Sequence, residues 1–450
     1  MGNVVLCMGV LLAVGLVYLL RKQFAMAAFN LLWAVVIFLT RVELGLQSYN
    51  KTFSLLLLMI LLVNVGHALS RWELPAPLRR SRPQVERTFN QPLLLGLQLF
   101  TFILLLVYAC KTLMEFGLDL AAIRGGNNTF NETGVFGSLL DTIFFYGVAI
   151  PLLYTQALVL AYNLSQSIKT SKIAYVLLAA NMVVQLITTG GGRNIFLRIA
   201  LFFAAAFVWR MHSCGLFRGG QLKYLVLGIG MLAVLLLMME ALTAARNTTG
   251  ITFFQQAVRY VRGSLAHMQY RLPSIPEHEN YWGYVAYGGF LYYPVKLLSL
   301  LTQMDIPTSN EIMFYLQEYR RLELGNELIY YNALVPNVFY YYFDSGYLGA
   351  ALFPAILGFA AGKGEKACKN PSFLRFLLWA TCVYAIVYSP IDSVLWAFRY
   401  PTALIYCFLL KDAMYYRGTP AYKKWAQWMK AKLTKKEGKR VSCRRTEGDL

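Results

Sequence analysis

Three glycines and an arginine lie close together in Thr188-Thr-Gly-Gly-Gly-Arg-Asn-Ile-Phe-Leu197, between two apolar stretches, and Arg198 follows directly. Gly191 and Gly192 let the backbone approach a ligand closely, and consecutive free amides bind anions. Arg193 follows at the predicted start of a helix, whose amino-terminal dipole also attracts anions. Arg198 lies inside a predicted span, where a charge is unfavourable unless it is paired or functional. The pattern predicts an anion site; the alternative is a tight turn whose arginine reaches lipid headgroups.

A second group of arginines lies in the long segment 245–336, which contains six arginines and one lysine. Arg246, Arg259 and Arg262 are candidate phosphate ligands, because planar guanidiniums bind two phosphate oxygens at once. Arg259 and Arg262 are three residues apart on one face of a predicted helix, so both can bind a single diphosphate. The alternative is an amphipathic helix that binds anionic headgroups without specificity.

Candidate proton acceptors are few, because the chain has only four histidines. His267 lies in the long segment, and Glu327 lies near its end. Asp344 lies about two turns inside the span that follows, where a carboxylate is rare enough to suggest a function. The alternative for Asp344 is an ion pair with Arg198 or Arg399 that neutralises charge inside the bundle.

No metal or nucleotide motif accompanies these residues. The sequence lacks D-x-D, H-x-x-x-H and Walker-type patterns. Its seven cysteines are scattered singly, without a C-x-x-C motif, which is atypical of a metal site or a disulfide framework. We therefore expect a site that uses no metal and no cofactor.

The composition is that of a polytopic membrane protein. Of 450 residues, 58% are hydrophobic and 14% are charged, whereas a soluble chain carries about 25% charged residues. The net charge of +20 invites a nucleic-acid interpretation, but twelve basic residues lie in the last forty positions. A basic tail after the last span is typical of a cytoplasmic anchor at an anionic leaflet. We expect membrane lipids as partners and no nucleic acid.

Apolar runs of about 17 to 25 residues predict eleven transmembrane helices. They cover residues 3–20, 24–40, 53–70, 92–110, 138–162, 173–189, 194–210, 224–244, 337–361, 373–389 and 393–410. Lys and Arg number sixteen in one set of short connections and five in the alternate set. The positive-inside rule then places the N-terminus outside and the C-terminus in the cytoplasm. The predicted fold is an all-α polytopic bundle with one long outer loop between helices 8 and 9.

The spans divide the chain into an N-terminal bundle, an extracytoplasmic loop, three C-terminal helices and a basic tail, at residues 1–244, 245–336, 337–410 and 411–450. Apolar spacing inside the loop predicts helices over Phe253–Met268 and Ser309–Leu324. Tyr284–Thr302 is apolar but is interrupted by glycine, proline and lysine. This pattern is typical of a re-entrant or interfacial segment.

Three motifs carry a likeness to a known family: Thr189-Gly-Gly-Gly-Arg193, Tyr260-Val-Arg-Gly-Ser-Leu265 and Phe343-Asp-Ser-Gly-Tyr-Leu-Gly349. With the layout of ten to twelve spans and one dominant outer loop, they resemble the bacterial oligosaccharide repeat-unit polymerases of the O-antigen, or Wzy, type. The first 130 residues add only hydropathy to this resemblance.

The resemblance implies a GT-C-like, inverting and metal-independent glycosyltransferase in the cytoplasmic membrane. Such an enzyme moves a growing glycan from undecaprenyl diphosphate onto an incoming lipid-linked repeat unit, and so polymerises O-antigen, capsule or exopolysaccharide at the outer face. Arg193, Arg259 and Arg262 would hold the diphosphate, and one of the candidate proton acceptors would deprotonate the acceptor hydroxyl. A chain-length-regulating co-polymerase is a candidate partner.

Two other functions stay open. A ligase that transfers the finished glycan to a lipid acceptor shares the fold plan, and the sequence does not distinguish it from a polymerase. A flippase for a lipid-linked oligosaccharide predicts cationic residues through both halves of the bundle and often internal symmetry. Here the charge collects at one face and no internal repeat is visible, which disfavours transport.

Overall fold

The computed structural model shows a mostly helical chain. It describes residues 2–40, 51–72, 87–119, 122–123, 138–190, 192, 194–214, 230, 233, 236–237, 239–244, 251–275, 280–313, 316, 318, 320–324, 327–331 and 334–417. Every count given below refers to this part of the chain.

Its α-helices are α1 (Gly2–Leu20), α2 (Phe24–Leu39), α3 (Lys51–Ser70), α4 (Gln91–Phe116), α5 (Leu139–Thr142), α6 (Ile150–Ser165), α7 (Lys172–Thr188), α8 (Asn194–Cys214), α9 (Phe253–Arg271), α10 (Tyr292–Thr302), α11 (Ser309–Ile312), α12 (Asn337–Ala367), α13 (Phe373–Tyr388) and α14 (Arg399–Met414). A π-helix, Ile143–Ala149, joins α5 to α6, and 3-10 turns cover Leu272–Ser274 and Gly288–Phe290. Side-chain caps begin several helices: the Thr252 hydroxyl, for example, accepts the amide of Gln255 at the start of α9.

Ten of the eleven predicted spans overlap helices, and the predicted span 224–244 lies mostly outside the described residues. Five helical runs are long and apolar enough to cross a membrane, namely Lys51–Ser70, Gln91–Phe116, Leu140–Ser165, Asn194–His212 and Asn337–Ala367. Shorter apolar helices accompany them. This agrees with the predicted class of all-α membrane protein. The number of spans and the sides on which the termini lie stay predictions.

The first helix predicted in the long loop is present, and the apolar stretch after it is partly helical. Helix α9 confirms the helix predicted over Phe253–Met268 and continues to Arg271. The apolar stretch Tyr284–Thr302 forms a 3-10 turn and then α10, whose eleven residues span about 16 Å. Since the hydrocarbon core of a bilayer is about 30 Å thick, α10 is too short to cross it.

The helix predicted over Ser309–Leu324 is wrong. Helix α11 ends at Ile312, and the later residues form a hairpin of β2 (Arg320–Leu324) and β3 (Glu327–Tyr331). The strands are antiparallel, with Leu324 opposite Glu327. The sequence Gly-Asn between them is a two-residue turn signal, and it outweighs the helical spacing on its N-terminal side. Strands β1 (Arg87–Phe89) and β4 (Tyr415–Arg417) form a second antiparallel pair.

Close backbone contacts fix the helices that carry the site. Gly66 of α3 lies against the backbone of Ala355, and Gly358 of α12 lies against the backbone of Val63. A Cβ atom at either glycine would collide with the other helix, so glycine permits this approach. Helix α6 is the most enclosed: fifteen of its sixteen residues are buried. It contacts α8 and α14 and carries Tyr154.

Helix α12 is kinked where the long loop meets it. Ser345 and Gly346 leave helical geometry, and Gly346 adopts φ +59°, a conformation that glycine reaches without strain. The kink exposes the carbonyl of Asp344, which accepts the amide of Tyr281 at 2.7 Å. The loop is therefore attached to α12 at this point.

Candidate functional site

Arg198 lies in the second turn of α8. Its Nη1 donates a hydrogen bond to the Tyr154 hydroxyl at 3.1 Å, and its guanidinium carbon lies 5.7 Å from the centre of the Tyr388 ring. The Nε atom is buried without a hydrogen-bond partner. Within the described chain, no carboxylate forms an ion pair with Arg198. The guanidinium therefore keeps its charge and one free donor.

Aromatic rings line this arginine. Tyr384 and Tyr388 of α13 meet edge to face at 4.7 Å, and Phe202 lies 6.0 Å from Tyr154 and 5.7 Å from Tyr384. The Tyr388 hydroxyl is buried and, like the Arg198 Nε, has no hydrogen-bond partner. Buried unpaired polar groups are rare in folded proteins, so these two mark a candidate binding site.

The segment 389–398, between α13 and α14, places a carboxylate beside this cluster. Asp392 Oδ1 accepts hydrogen bonds from the Tyr340 hydroxyl at 2.9 Å, and from Trp396 Nε1 and the Ser393 amide at 2.8 Å. In the part of the chain that the structure describes, nothing donates to Oδ2. One carboxylate oxygen is therefore held in place while the other is available to a ligand.

Burial raises the pKa of Asp392 to about 6, while the hydrogen bond from Trp396 and the charge of Arg198 oppose that shift. A carboxyl group with this pKa is mostly ionised at pH 7 and is a suitable general base. The Asp392 amide donates to the Tyr388 carbonyl at 2.9 Å, and the Tyr388 ring lies beside the Arg198 guanidinium. A proton acceptor and a cation that has no ion-pair contact among the described residues thus occupy one region.

The long loop holds the segment 389–398 in place. Three hydrogen bonds from the loop end on carbonyls of the segment: Ser264 Oγ to Pro390 at 2.6 Å, the Gly289 amide to Leu395 at 3.1 Å, and Ser309 Oγ to Trp396 at 3.1 Å. The loop therefore sets the position of Asp392. None of the described loop residues donates a hydrogen bond to the Asp392 carboxylate itself.

The predicted base His267 is fully buried in α9, and both of its ring nitrogens have partners. Arg271 Nε donates to Nε2 at 3.0 Å, so Nε2 carries no proton, because arginine can only donate. Nδ1 donates to the Leu334 carbonyl at 3.3 Å. Burial, together with the charge of Arg271, lowers the pKa of His267 to about 4, although the hydrogen bond to the Leu334 carbonyl opposes this shift. The lone pair of this imidazole is already used.

The predicted carboxylate Asp344 binds the long loop. Its Oδ1 accepts the amides of Val285 at 2.7 Å and Ala286 at 3.3 Å. Its Oδ2 accepts the Gly283 amide and, at 3.0 Å, the Ser345 hydroxyl. The alternative ion pair with an arginine is not formed, and backbone amides balance the charge of this buried carboxylate instead.

Arg259 and Arg262 lie about one helical turn apart on α9, the helix that was predicted to carry them. Both side chains are half-buried. The same helix carries Ser264, which hydrogen-bonds to the Asp392 segment at Pro390. The two arginines therefore belong to an element that is attached directly to the region of Asp392.

The structure describes only some of the other residues that were predicted to form the site. The Gly192 amide donates to the Thr189 hydroxyl at 3.1 Å, so this amide of the predicted anion nest is used within the turn. The backbone of Glu327 begins β3, but its side chain lies outside the described part of the chain. The predictions for Gly191, Arg193 and Arg246 also fall outside the described residues.

No protein-family model, curated protein or solved structure matches this chain. The family resemblance of the three motifs thus stays a prediction, and the chemistry of the site is argued from its geometry. Within the described ranges, no group of three or more His, Cys, Asp or Glu side chains could hold a metal ion.

Reasoning from the sequence missed Asp392 and the role of Tyr388. The sequence Ser389-Pro-Ile-Asp392 carries a signal, because a carboxylate follows a proline at the end of an apolar span. The predicted spans 373–389 and 393–410 left only three residues between them. The structure ends α13 at Tyr388 and begins α14 at Arg399, so the connection is longer than predicted and carries Asp392.

Proposed function

We propose that this protein is an integral-membrane glycosyltransferase that polymerises undecaprenyl-diphosphate-linked repeat units into surface polysaccharide, such as O-antigen, capsule or exopolysaccharide. The observation that carries the proposal is the Arg198 guanidinium, which lies in an apolar helix without an ion-pair partner in the described chain and beside Asp392. Such a charge is unfavourable unless a partner neutralises it. The diphosphate of a lipid-linked substrate supplies that partner.

In the proposed reaction, an acceptor hydroxyl attacks the anomeric carbon of the donor glycan. The new carbon–oxygen bond forms while the bond to the diphosphate oxygen breaks, and the diphosphate keeps the electron pair. Asp392 receives the hydroxyl proton, and Arg198 stabilises the negative charge that develops on the diphosphate. Attack opposite the leaving group inverts the anomeric centre.

Asp392 suits the role of base better than the groups predicted from the sequence. Its Oδ2 has no donor among the described residues, whereas His267 Nε2 accepts a hydrogen bond from Arg271. Both carboxylate oxygens of Asp344 accept backbone amides. Glu327 stays a candidate, because its side chain lies outside the described residues.

The other predicted cations extend the same proposal. Arg193 lies five residues before Arg198, and Arg259 and Arg262 lie on the helix that is attached to the Asp392 segment. These guanidiniums would bind the second phosphate group of the substrate. The site would face the outer side of the cytoplasmic membrane, with the N-terminus outside and the basic tail in the cytoplasm.

The test is an assay of the purified protein in lipid nanodiscs with lipid-linked repeat units as the only substrate. A polymerase produces a time-dependent ladder of chain lengths, and empty nanodiscs produce none. Transfer of a glycan to a lipid core without a ladder would replace the proposal with a ligase. Translocation of the lipid across vesicles without bond formation would overturn the glycosyltransferase.

A further inference from the structure

A second arginine without an ion pair lies at the start of α14. The guanidinium carbon of Arg399 is 4.3 Å from the centre of the Tyr146 ring, in the π-helix before α6. No described carboxylate forms an ion pair with it. Tyr146 and Tyr154 are eight residues apart, or about 12 Å along a helix, so Arg399 marks a place separate from the Arg198 centre.

Aromatic contacts hold the amino end of α10 beside this arginine. Tyr292 stacks on Phe398 at 4.1 Å, and the Tyr293 ring lies 5.7 Å from the same phenylalanine. The Tyr293 hydroxyl lies against Gly147 of the π-helix, where a Cβ atom would collide with it. A π-helix is uncommon and is often found at functional sites. Here Gly147, which has no side chain, makes room for Tyr293 near Arg399.

The rest of α10 presents an exposed apolar surface. None of its residues is buried, and Leu300 and Leu301 are 75% and 72% exposed. The one lysine of the helix, Lys296, pairs with Glu311 at 2.5 Å, so that carboxylate is already neutralised. The helix is about half as long as the hydrocarbon core of a bilayer is thick.

We infer that Arg399, the Tyr146 ring and α10 form a second lipid-binding site, whose ligand is a polyprenyl diphosphate. The guanidinium binds the diphosphate head, and the exposed leucines of α10 bind the first isoprene units of the tail. This inference rests on the proposed function. Polymerisation joins two lipid-linked molecules, so both must be held at once, one at Arg198 and one at Arg399.

Native mass spectrometry of the full-length protein with undecaprenyl diphosphate tests this site. The wild type binds two lipids, and Arg399→Gln and Arg198→Gln each bind one. Lys411→Gln is the matched control, since Lys411 lies over the Phe408 ring at the opposite end of α14. This variant binds two lipids, like the wild type. Circular dichroism and gel filtration establish that each variant is folded, and Arg399→Lys supplies a variant that keeps the charge and binds two lipids with lower affinity.

A second experiment distinguishes binding of the lipid's diphosphate head from binding of its isoprenoid tail. Replacing Leu300 and Leu301 by serine lowers the affinity of the second site for undecaprenyl diphosphate at least tenfold, but leaves the affinity for inorganic diphosphate unchanged. The exposed Leu409 of α14, changed to serine, is the control and alters neither affinity. Two lipids bound to Arg399→Gln, or equal binding of phosphatidylglycerol at the second site, would overturn the inference.

The binding assay needs no glycan and no bond formation, so it fails independently of the proposed function. Two bound lipids without a ladder in the polymerisation assay would keep the site and overturn the polymerase. A wild-type ladder made by Arg399→Gln would overturn the site and keep the polymerase.

Discussion

An arginine inside an apolar helix bundle is normally paired with a carboxylate, because burying an isolated charge costs much free energy. Arg198 and Arg399 depart from this rule within the described chain. Asp344, the carboxylate that was expected to pair with one of them, binds backbone amides of the long loop instead. Two cations are thereby left for ligands.

Replacement of Asp392 by asparagine tests the proton acceptor. Asparagine keeps the size and one acceptor oxygen but takes up no proton at neutral pH, so we expect kcat to fall about 10²- to 10⁴-fold. In the wild type, kcat should rise between about pH 5 and pH 7, because the carboxyl ionises with a pKa of about 6. The measurement is the pH–rate profile of both proteins.

Asp141→Asn is the control for this change, since Asp141 pairs with Lys111 at 2.8 Å away from the site. We expect it to keep the activity and the pH profile of the wild type. A flat wild-type profile from pH 5 to 7, or an active Asp392→Asn variant, would contradict the assignment of the base.

The lowered pKa of His267 predicts that the protein loses stability in acid. Its folded pKa of about 4 lies below the value of 6.5 for a free imidazole, so the unfolded chain binds the proton more tightly. The stabilisation is complete above pH 6.5 and is lost as the pH falls towards 4. We expect the Tm of the wild type to fall across this window more steeply than that of His267→Gln, whose amide can still accept from Arg271 and does not titrate.

The comparison with His267→Gln is needed because the titration of Asp392 changes the stability of the protein with pH in the opposite direction. Its folded pKa is raised from 3.8 to about 6, so its contribution to stability is lost as the pH rises through that window. Both proteins contain Asp392, and the difference between their Tm curves therefore isolates the histidine. Parallel curves from pH 6.5 to 4 would show that His267 is not buried and neutral.

At the scale of elements, Asp344 at the kink of α12 holds residues 281–286 of the long loop in place. Asp344→Asn replaces one acceptor oxygen by an amide that faces a backbone donor, and leaving a buried donor unpaired costs about 1–3 kcal/mol. We expect residues 281–286 to loosen, and limited proteolysis in the loop to become several-fold faster. Asp141→Asn should digest at the wild-type rate, and an unchanged digestion of Asp344→Asn would contradict this role.

The elements differ in how well the sequence predicts them. Long apolar runs predict α3, α4 and α12, because a span must be helical to satisfy its backbone in lipid. The hairpin of β2 and β3 was missed, since short strands carry a weak local pattern that a two-residue turn decides. The role of Asp392 was also missed, because its partners Tyr340 and Trp396 and its neighbour Arg198 meet it only in the folded bundle.

At the scale of the molecule, the sidedness of the bundle is a prediction from its Lys and Arg. Single cysteines in a cysteine-free background test it in intact cells with a membrane-impermeant maleimide. We expect Ser274→Cys, exposed after α9, to be labelled directly, and Lys369→Cys, exposed between α12 and α13, only after permeabilisation. The reverse pattern would place the Arg198 region in the cytoplasm and contradict a site at the outer face.

The central claim is that the unneutralised guanidinium of Arg198 holds the diphosphate during glycosyl transfer. The most direct measurement is the rate of ladder formation by Arg198→Gln against Arg210→Gln. Arg210 lies near the other end of α8, where it donates to Leu164 and Ser167. Loss of one such donor costs about 10²- to 10³-fold in rate, and we predict that loss for Arg198→Gln and wild-type ladders for Arg210→Gln. Equal ladders from both variants would contradict the account.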